Sequence, residues 1–153
     1  MERETILGLI PQQPPFRFID TLTHVSPDLI EGSYFFKKDE YFYKGHFPDL
    51  PITPSVILTE TMAQVGLIPL GLVNYLENNQ MNSLTGIKPI FTNSDVKFTK
   101  TVFPETKVTV VAKKIYFRLN RLKANVKLYN DRDQLCASGT LSGMILTNKD
   151  LEI

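Results

Sequence analysis

Thr53-Pro54-Ser55-Val56-Ile57-Leu58-Thr59-Glu60-Thr61-Met62-Ala63-Gln64-Val65-Gly66-Leu67-Ile68-Pro69-Leu70-Gly71-Leu72-Val73-Asn74-Tyr75-Leu76 is the stretch that decides the fold. Threonine is a favoured N-cap, and proline in the next position fills the first helical residue, whose N–H has no intrahelical partner. The pattern predicts a helix from Thr53 to about Leu76, roughly 35 Å long at the ordinary rise. Val56, Ile57, Leu58, Met62, Ala63, Val65, Leu67, Ile68, Leu70, Leu72, Val73 and Leu76 cover nearly every face of it. A helix that is apolar all round belongs in a core and not on a surface. Pro69 predicts a kink or a break into two segments, and Glu77-Asn78-Asn79-Gln80 closes the helix.

Upstream, Glu4 to Leu9 reads as a short helix followed by the proline-rich Pro11-Gln12-Gln13-Pro14-Pro15. Phe16 to Asp20 has strand-like composition, and Leu22 to Phe36 predicts a hairpin turning at Ser26-Pro27-Asp28. Tyr41 to Pro54, aromatic and proline-rich, is expected to be an ordered loop. Downstream, Ile87–Lys100 predicts a strand or two and Pro104-Glu105 a turn. Three strands are then expected over Lys107–Phe117, Leu122–Tyr129 and Gln134–Thr147, with Asn130-Asp131-Arg132-Asp133 turning between the last two. The expected architecture is α+β, a strongly curved antiparallel sheet wrapped around one apolar helix, in a single domain over residues 1–153.

The whole-chain numbers exclude several classes. At 153 residues, 42% apolar and 22% charged, the chain suits one globular domain. Seventeen basic against sixteen acidic residues give a net charge of +1, which offers nucleic acid no basic face. Cys136 is the single cysteine, so a reducing, cytoplasmic setting is expected. No long apolar run follows Met1-Glu2-Arg3-Glu4, so no signal peptide is expected, and no window holds the roughly 18 uninterrupted apolar residues of a membrane span. The two histidines have no cysteine or carboxylate cluster at ligand spacing, so no metal is expected. No glycine-rich phosphate loop is present in the sequence.

The chemistry-bearing residues gather where the helix starts. His46 lies in the loop and Glu60 fourteen residues later, on the second turn of the helix. Histidine titrates nearest neutrality, so His46 can take a proton. Glu60 stands among Leu58, Met62 and Ala63, and a carboxyl in such a setting stays protonated and can act as an acid. The backbone N–H of Ser55 is one of the unpartnered donors of the first turn, where the helix dipole favours developing negative charge. Gln64 follows Glu60 by four residues on the same face and can orient its carboxyl by a hydrogen bond. Base, acid and oxyanion donor together suit removal of a proton beside a carbonyl with loss of a β-leaving group.

The motif Gly45-His46-Phe47-Pro48-x-x-Pro51-x-x-Pro54-x-Val56-x-Leu58-x-Glu60-x-Met62-Ala63-Gln64 resembles the signature of the FabZ-type 3-hydroxyacyl-[acyl-carrier-protein] dehydratases, which have the hotdog fold. Pro15-Phe16-Arg17-Phe18-Ile19-Asp20 and Asp95 to Pro104 resemble two further stretches of that family, in order and at matching separations. The resemblance implies His46 as general base and Glu60 as the acid that protonates the departing hydroxyl, with glutamate marking a FabZ-like and aspartate a FabA-like member. It implies Ser55, Gln64, Gly45 and Phe47 as oxyanion or substrate-positioning residues. It implies a homodimer, or an oligomer of dimers, whose sites take one group from each subunit. The substrate would arrive on the phosphopantetheine arm of acyl carrier protein, with no other cofactor. One departure stands out: the family normally has glycine where this chain has Ser55. The N–H survives, but a hydroxymethyl group now lies where the thioester approaches, which points to a specialised polyene or polyketide route as an alternative to ordinary fatty-acid synthesis. A hotdog thioesterase and a non-catalytic acyl-thioester-binding subunit or regulator remain rival readings.

Other features have plainer accounts. His24 is expected on the surface and Cys136 in the core. Gly66 and Gly71 suit close helix–sheet packing. The basic tract from Lys113 to Lys123 is expected to be the solvated end of a hairpin, or else a carrier-docking patch formed by Arg118, Arg121 and Lys123.

Overall fold

The computed structural model describes residues 1–79 and 86–151. Its elements in chain order are α1 (Arg3–Leu9), β1 (Thr21–Val25), β2 (Leu29–Phe36), a 3-10 turn (Tyr41–Lys44), α2 (Ser55–Met62), a π-helical turn (Ala63–Leu67), α3 (Ile68–Asn78), β3 (Lys88–Phe98), β4 (Thr106–Arg118), β5 (Arg121–Tyr129) and β6 (Leu135–Leu146). The strands form one antiparallel sheet in the order β1-β2-β4-β5-β6-β3. Its inner face packs on the long helix, as expected of a hotdog domain.

Alternation on the strands explains the packing. Leu122, Ala124, Val126 and Leu128 of β5 are buried, as are Val108, Val110 and Ala112 of β4, so every second residue of the central strands faces the helix. The helix returns an almost wholly apolar surface. Of the residues expected to be buried on it, every one is except Val56, which is 75% exposed. The 24 residues Ser55–Asn78 are long and apolar enough to cross a bilayer by composition, yet 83% of their most apolar stretch is buried by the rest of the chain. Burial of this kind contributes ~25 cal/mol per Å².

Two expectations need correction. Thr53 is not the N-cap: the helix starts at Ser55 with Pro54 in the cap position and no side-chain cap. The Thr53 hydroxyl is instead engaged with the Tyr43 hydroxyl at 2.7 Å, and its N–H donates to Val102 O. Second, Phe16 to Ile19 is not a strand. Phe16 O and Phe18 N–H are bound by Gln64 of the helix, Phe16 N–H donates to Gln13 O, and pairing with β2 begins at Asp20, whose N–H donates to Ser33 O. The helix is divided into two segments at Pro69, as expected: the backbone widens into the π-helical turn, where Ile68 N–H reaches back to Ala63 O, and α3 follows with Pro69 in its first turn. The predicted closing residue Gln80 lies outside the described residues, and α3 ends at Asn78.

Several local expectations are met. The hairpin turns at Ser26–Asp28, where the Ser26 side chain accepts from Leu29 N–H. Asn130 Oδ1 accepts from Arg132 and Gln134 to shape the β5–β6 turn. His24 is exposed and Cys136 fully buried. The Lys113–Lys123 tract forms the end of the β4–β5 hairpin, and Lys114 within it pairs with Asp28 at 3.0 Å.

Gly66 marks the closest approach of helix and sheet. A Cβ there would lie 2.8 Å from the Ala112 Cβ, with Val110 and Val126 just beyond, whereas Gly8 in α1 has open space around it. Alanine ordinarily favours a helix over glycine by up to ~1 kcal/mol. Gly66→Ala is nevertheless expected to destabilise by about 1–3 kcal/mol through overpacking. Gly8→Ala should be neutral or slightly stabilising. Denaturant titration of both variants checks the contrast.

Candidate active site

Loop 45–54 is fixed before any chemistry is considered. His46 N–H donates to Phe42 O, and the Ile52 N–H donates to His46 O at 3.0 Å. Phe47 and Leu50 exchange backbone hydrogen bonds at 2.9 and 3.1 Å. Pro48, Pro51 and Pro54 have no N–H to satisfy. Burial pushes the Tyr43 phenol up to about 12, so it stays neutral and its hydroxyl remains with Thr53.

The His46 ring is held by the same loop. Its Nδ1 lies 3.0 Å from Ile52 O. A carbonyl oxygen only accepts, so Nδ1 carries the proton of the neutral ring and Nε2 is left with a free lone pair. Phe47 stacks on the imidazole at 4.2 Å between centroids. Gly45 ends the 3-10 turn in ordinary helical backbone with open space around it, so nothing within this chain demands glycine there.

The helix start faces the same cleft. The first intrahelical bonds are made by Ile57 and Leu58 N–H to Pro54 O, so the N–H groups of Ser55 and Val56 precede the ladder. Because Thr53 is engaged elsewhere, no side chain caps them. Ser55 is exposed, and its carbonyl accepts from Thr59 Oγ1. His46, Ser55, Val56, Phe98 and Lys100 are among the residues lining a cleft of about 510 Å³.

Glu60 lies elsewhere. It borders a second cavity, of about 280 Å³, whose walls include Ala63, Leu67, Ile68, Gly71, Ile90, Phe91, Leu122 and Ile145. Burial raises its pKa above the ordinary carboxylate value, and the hydrogen bond from Gln64 opposes that rise in part. Gln64 is itself fully buried. Its Nε2 donates to Glu60 Oε1 at 2.9 Å and to Phe16 O at 3.2 Å, while its Oε1 accepts from Phe18 N–H at 2.6 Å. One amide therefore fixes the acid and ties the Phe16–Phe18 segment to the helix.

A single chain thus brings His46 together with Ser55, and Glu60 together with Gln64, but it does not bring the two pairs into one cavity. Residues of β3 border both the cleft and the cavity; β3 ends the sheet, and among the described residues one of its edges is unpaired. Ile90, Phe91 and Phe98 along it and Val56 beside it are exposed apolar residues. Arg118 and Arg121 sit exposed and opposite each other at the hairpin end, and Lys123 is half-buried. None of the three lines either space, although Leu122 between them does. Two features escaped the sequence. The Tyr43–Thr53 pair could not be foreseen from residue types alone. Gln12, which also borders the Glu60 cavity, carries no signal beyond its place in the proline-rich stretch.

Comparison with known proteins supplies the family. The FabA-like domain family matches residues 10–138. The 3-hydroxyacyl-[acyl-carrier-protein] dehydratase FabZ of Oleidesulfovibrio alaskensis is 29% identical over 148 residues, covering 95% of this chain and 92% of that one. Among solved structures, the dehydratase heterocomplex ApeI:P from Xenorhabdus doucetiae superposes with a TM-score of 0.75 at 12% identity, covering 95% of this chain and 93% of that one. A thioesterase from Haemophilus influenzae superposes with a TM-score of 0.66 at 13% identity, covering 96% and 92%. At such identities the two structures show the shared fold.

The raised pKa of Glu60 has a consequence for stability. As pH climbs, the unfolded chain loses this proton first, near the ordinary 4.5. Stability therefore falls from about that pH until the folded-state pKa is passed. Glu60→Gln keeps an acceptor for Gln64 and removes the titration. The variant is expected to melt higher than the natural protein at about pH 8 and to lose that advantage near pH 4, at about 2–4 °C per kcal/mol. Melting curves across that range check it, and a difference that does not vary with pH would contradict the buried acid.

Proposed function

The chain belongs to the FabA-like family of hotdog dehydratases, and from that membership we propose that it converts a 3-hydroxyacyl thioester on acyl carrier protein to the trans-2-enoyl thioester and water. The observation that carries this reading is the Glu60 carboxyl, kept above its ordinary pKa on an apolar wall and oriented by a fully buried amide. Such a group is shifted toward its protonated form, the form that can give a proton to a departing hydroxyl.

The chemistry follows from the atoms. His46 Nε2 takes the proton from C2 of the acyl chain, and Ile52 O supports the imidazolium through Nδ1–H. The thioester oxygen lies at the open helix start, where the Ser55 N–H supports the developing negative charge. Glu60 gives its proton to the 3-hydroxyl, the C3–O bond breaks, water leaves and the C2–C3 double bond forms. Proton transfer from the imidazolium back to the carboxylate, through solvent, resets the site. No further cofactor enters this sequence, since the pantetheine arm arrives with the substrate.

Separation of His46 and Glu60 into two spaces supports a homodimer in which each site takes His46 from one copy and Glu60 from the other. The unpaired apolar edge of β3 favours burial against a second copy. Arg118, Arg121 and Lys123 offer positive charge for an acidic carrier. Ser55 adds a hydroxymethyl group at the thioester's approach, which supports a substrate from a specialised polyene or polyketide route over the ordinary saturated series.

His46→Ala and Glu60→Gln are each expected to lower turnover of a 3-hydroxyacyl thioester by ~10²–10⁴-fold with the fold intact. Co-expression of the two variants should restore roughly a quarter of the sites, because a mixed two-fold dimer carries one undamaged pair. Absence of restoration would place both groups in one subunit. Release of free acid and thiol, instead of an enoyl thioester, would assign the chain to thioester hydrolysis.

A further inference from the structure

The two glycines inside the long helix are not there for the same reason. Close packing, expected at both, accounts for Gly66, where a Cβ would meet the Ala112 side chain at 2.8 Å. At Gly71 a Cβ would meet Ile145 Cδ1 at 3.4 Å and Leu122 Cδ2 at 3.5 Å, which is ordinary contact. Alanine would fit there and would favour the helix. Gly71 is buried and borders the Glu60 cavity, as do Ile145 and Leu122. What glycine leaves open is space between three residues of one cavity wall.

The cavity has a direction. Glu60, Ala63, Leu67 and Gly71 recur at intervals of three and four residues, the spacing of one helical face, and all four border it. It therefore follows the helix from the acid to Gly71, eleven residues on, over ~16 Å at the ordinary rise. Gln12 and Glu60 are the polar side chains of the lining, and the rest is apolar or glycine. Ile68, Leu122 and Ile145, which border the cavity together with Gly71, are 7%, 3% and 4% exposed, so this end is closed off from solvent. An apolar slot with an acid at one end and a closed far end suits an alkyl chain.

We propose that this slot takes the acyl chain beyond C3 and that Gly71 is its floor, the residue that sets how long a chain the site accepts. The assignment rests on the dehydratase reading, which puts C3 at Glu60, so that the carbons from C4 onward run along the helix toward Gly71. An extended chain advances ~1.3 Å per carbon, given bonds of ~1.5 Å. On the order of ten carbons beyond C3 therefore reach the floor. The substrate class is a medium- to long-chain 3-hydroxyacyl thioester. Each methylene that enters the slot adds ~4-fold in affinity, and those that would pass Gly71 add nothing.

The test uses the full-length protein and a series of S-alkyl pantetheine thioethers of increasing length. These ligands neither dehydrate nor hydrolyse, so chain length is read separately from the reaction. Calorimetric titration of the natural protein is expected to show affinity climbing with length and then levelling off. In Gly71→Ala the levelling comes about one to two carbons earlier, and in Gly71→Leu about three to four, because the added side chain takes the space of that much alkyl chain. The longest ligands lose ~4-fold per excluded carbon relative to the shortest. The length dependence of kcat/KM for 3-hydroxyacyl substrates shifts the same way. Ligand-free Gly71→Ala melts at the same temperature or higher, since its methyl meets only ordinary contacts. Should Gly71→Leu not fold, Gly71→Ala decides alone. Levelling at an unchanged length in a folded variant overturns the proposal, as does an equal loss of affinity at every length, which would make Gly71 a packing residue only. A protein that dehydrates no 3-hydroxyacyl thioester, yet shows the Gly71-dependent limit on chain length, would refute the reaction while upholding the floor.

Discussion

Burial of the helix Ser55–Asn78 against the concave face of the sheet is the constraint on which everything else rests. Gly66 lets the helix lie so close that the Ala112 side chain occupies the space a Cβ would need. Helix position is therefore fixed by hard contact and not only by apolar attraction. Because the helix cannot shift, the two features proposed to act on the substrate are fixed as well: the open N–H groups at Ser55, and Glu60 on the second turn. A loosely packed helix would give neither the uncapped start nor the acid a defined place.

The helix also accommodates two local departures from regularity, and both lie close to the site. The Thr53 hydroxyl, which would cap the helix in an isolated peptide, is bound to Tyr43, and the first N–H groups are left available to a ligand. Glu60 is desolvated on an apolar wall, which works against the charged form and raises its pKa. Gln64 moderates that effect with one hydrogen bond and uses its remaining two to secure the Phe16–Phe18 segment. Stability and acidity are coupled through that amide: strengthening its bond to Glu60 favours the carboxylate, and losing it would leave Phe18 N–H buried without a partner.

Much of this was legible in residue order. The apolar pattern from Val56 to Leu76 predicts a buried helix, and the β-branched and aromatic runs after Ile87 predict the strands that surround it. His46, Glu60 and Gln64 were identifiable because their spacing places the latter two on one helical face and the first at its approach. The misreadings share a cause. Local preference makes Thr53 a cap, and composition makes Phe16–Ile19 a strand. In each case a partner distant in sequence decides otherwise. Gln12 shows the opposite limit, since nothing about a glutamine between prolines indicates that its oxygen is unpaired.

The amino-acid order by itself determined the family resemblance and the α+β architecture, and it singled out His46 and Glu60 as the proposed base and acid, because motif, periodicity and local spacing are all written in the linear chain. Only the tertiary structure decided that His46 and Glu60 occupy separate spaces, that the helix start is open, and that Gln12 borders the same cavity as the acid. Those facts depend on which groups meet across the fold, and hydrogen-bond competition among distant partners leaves no periodic trace in a linear chain.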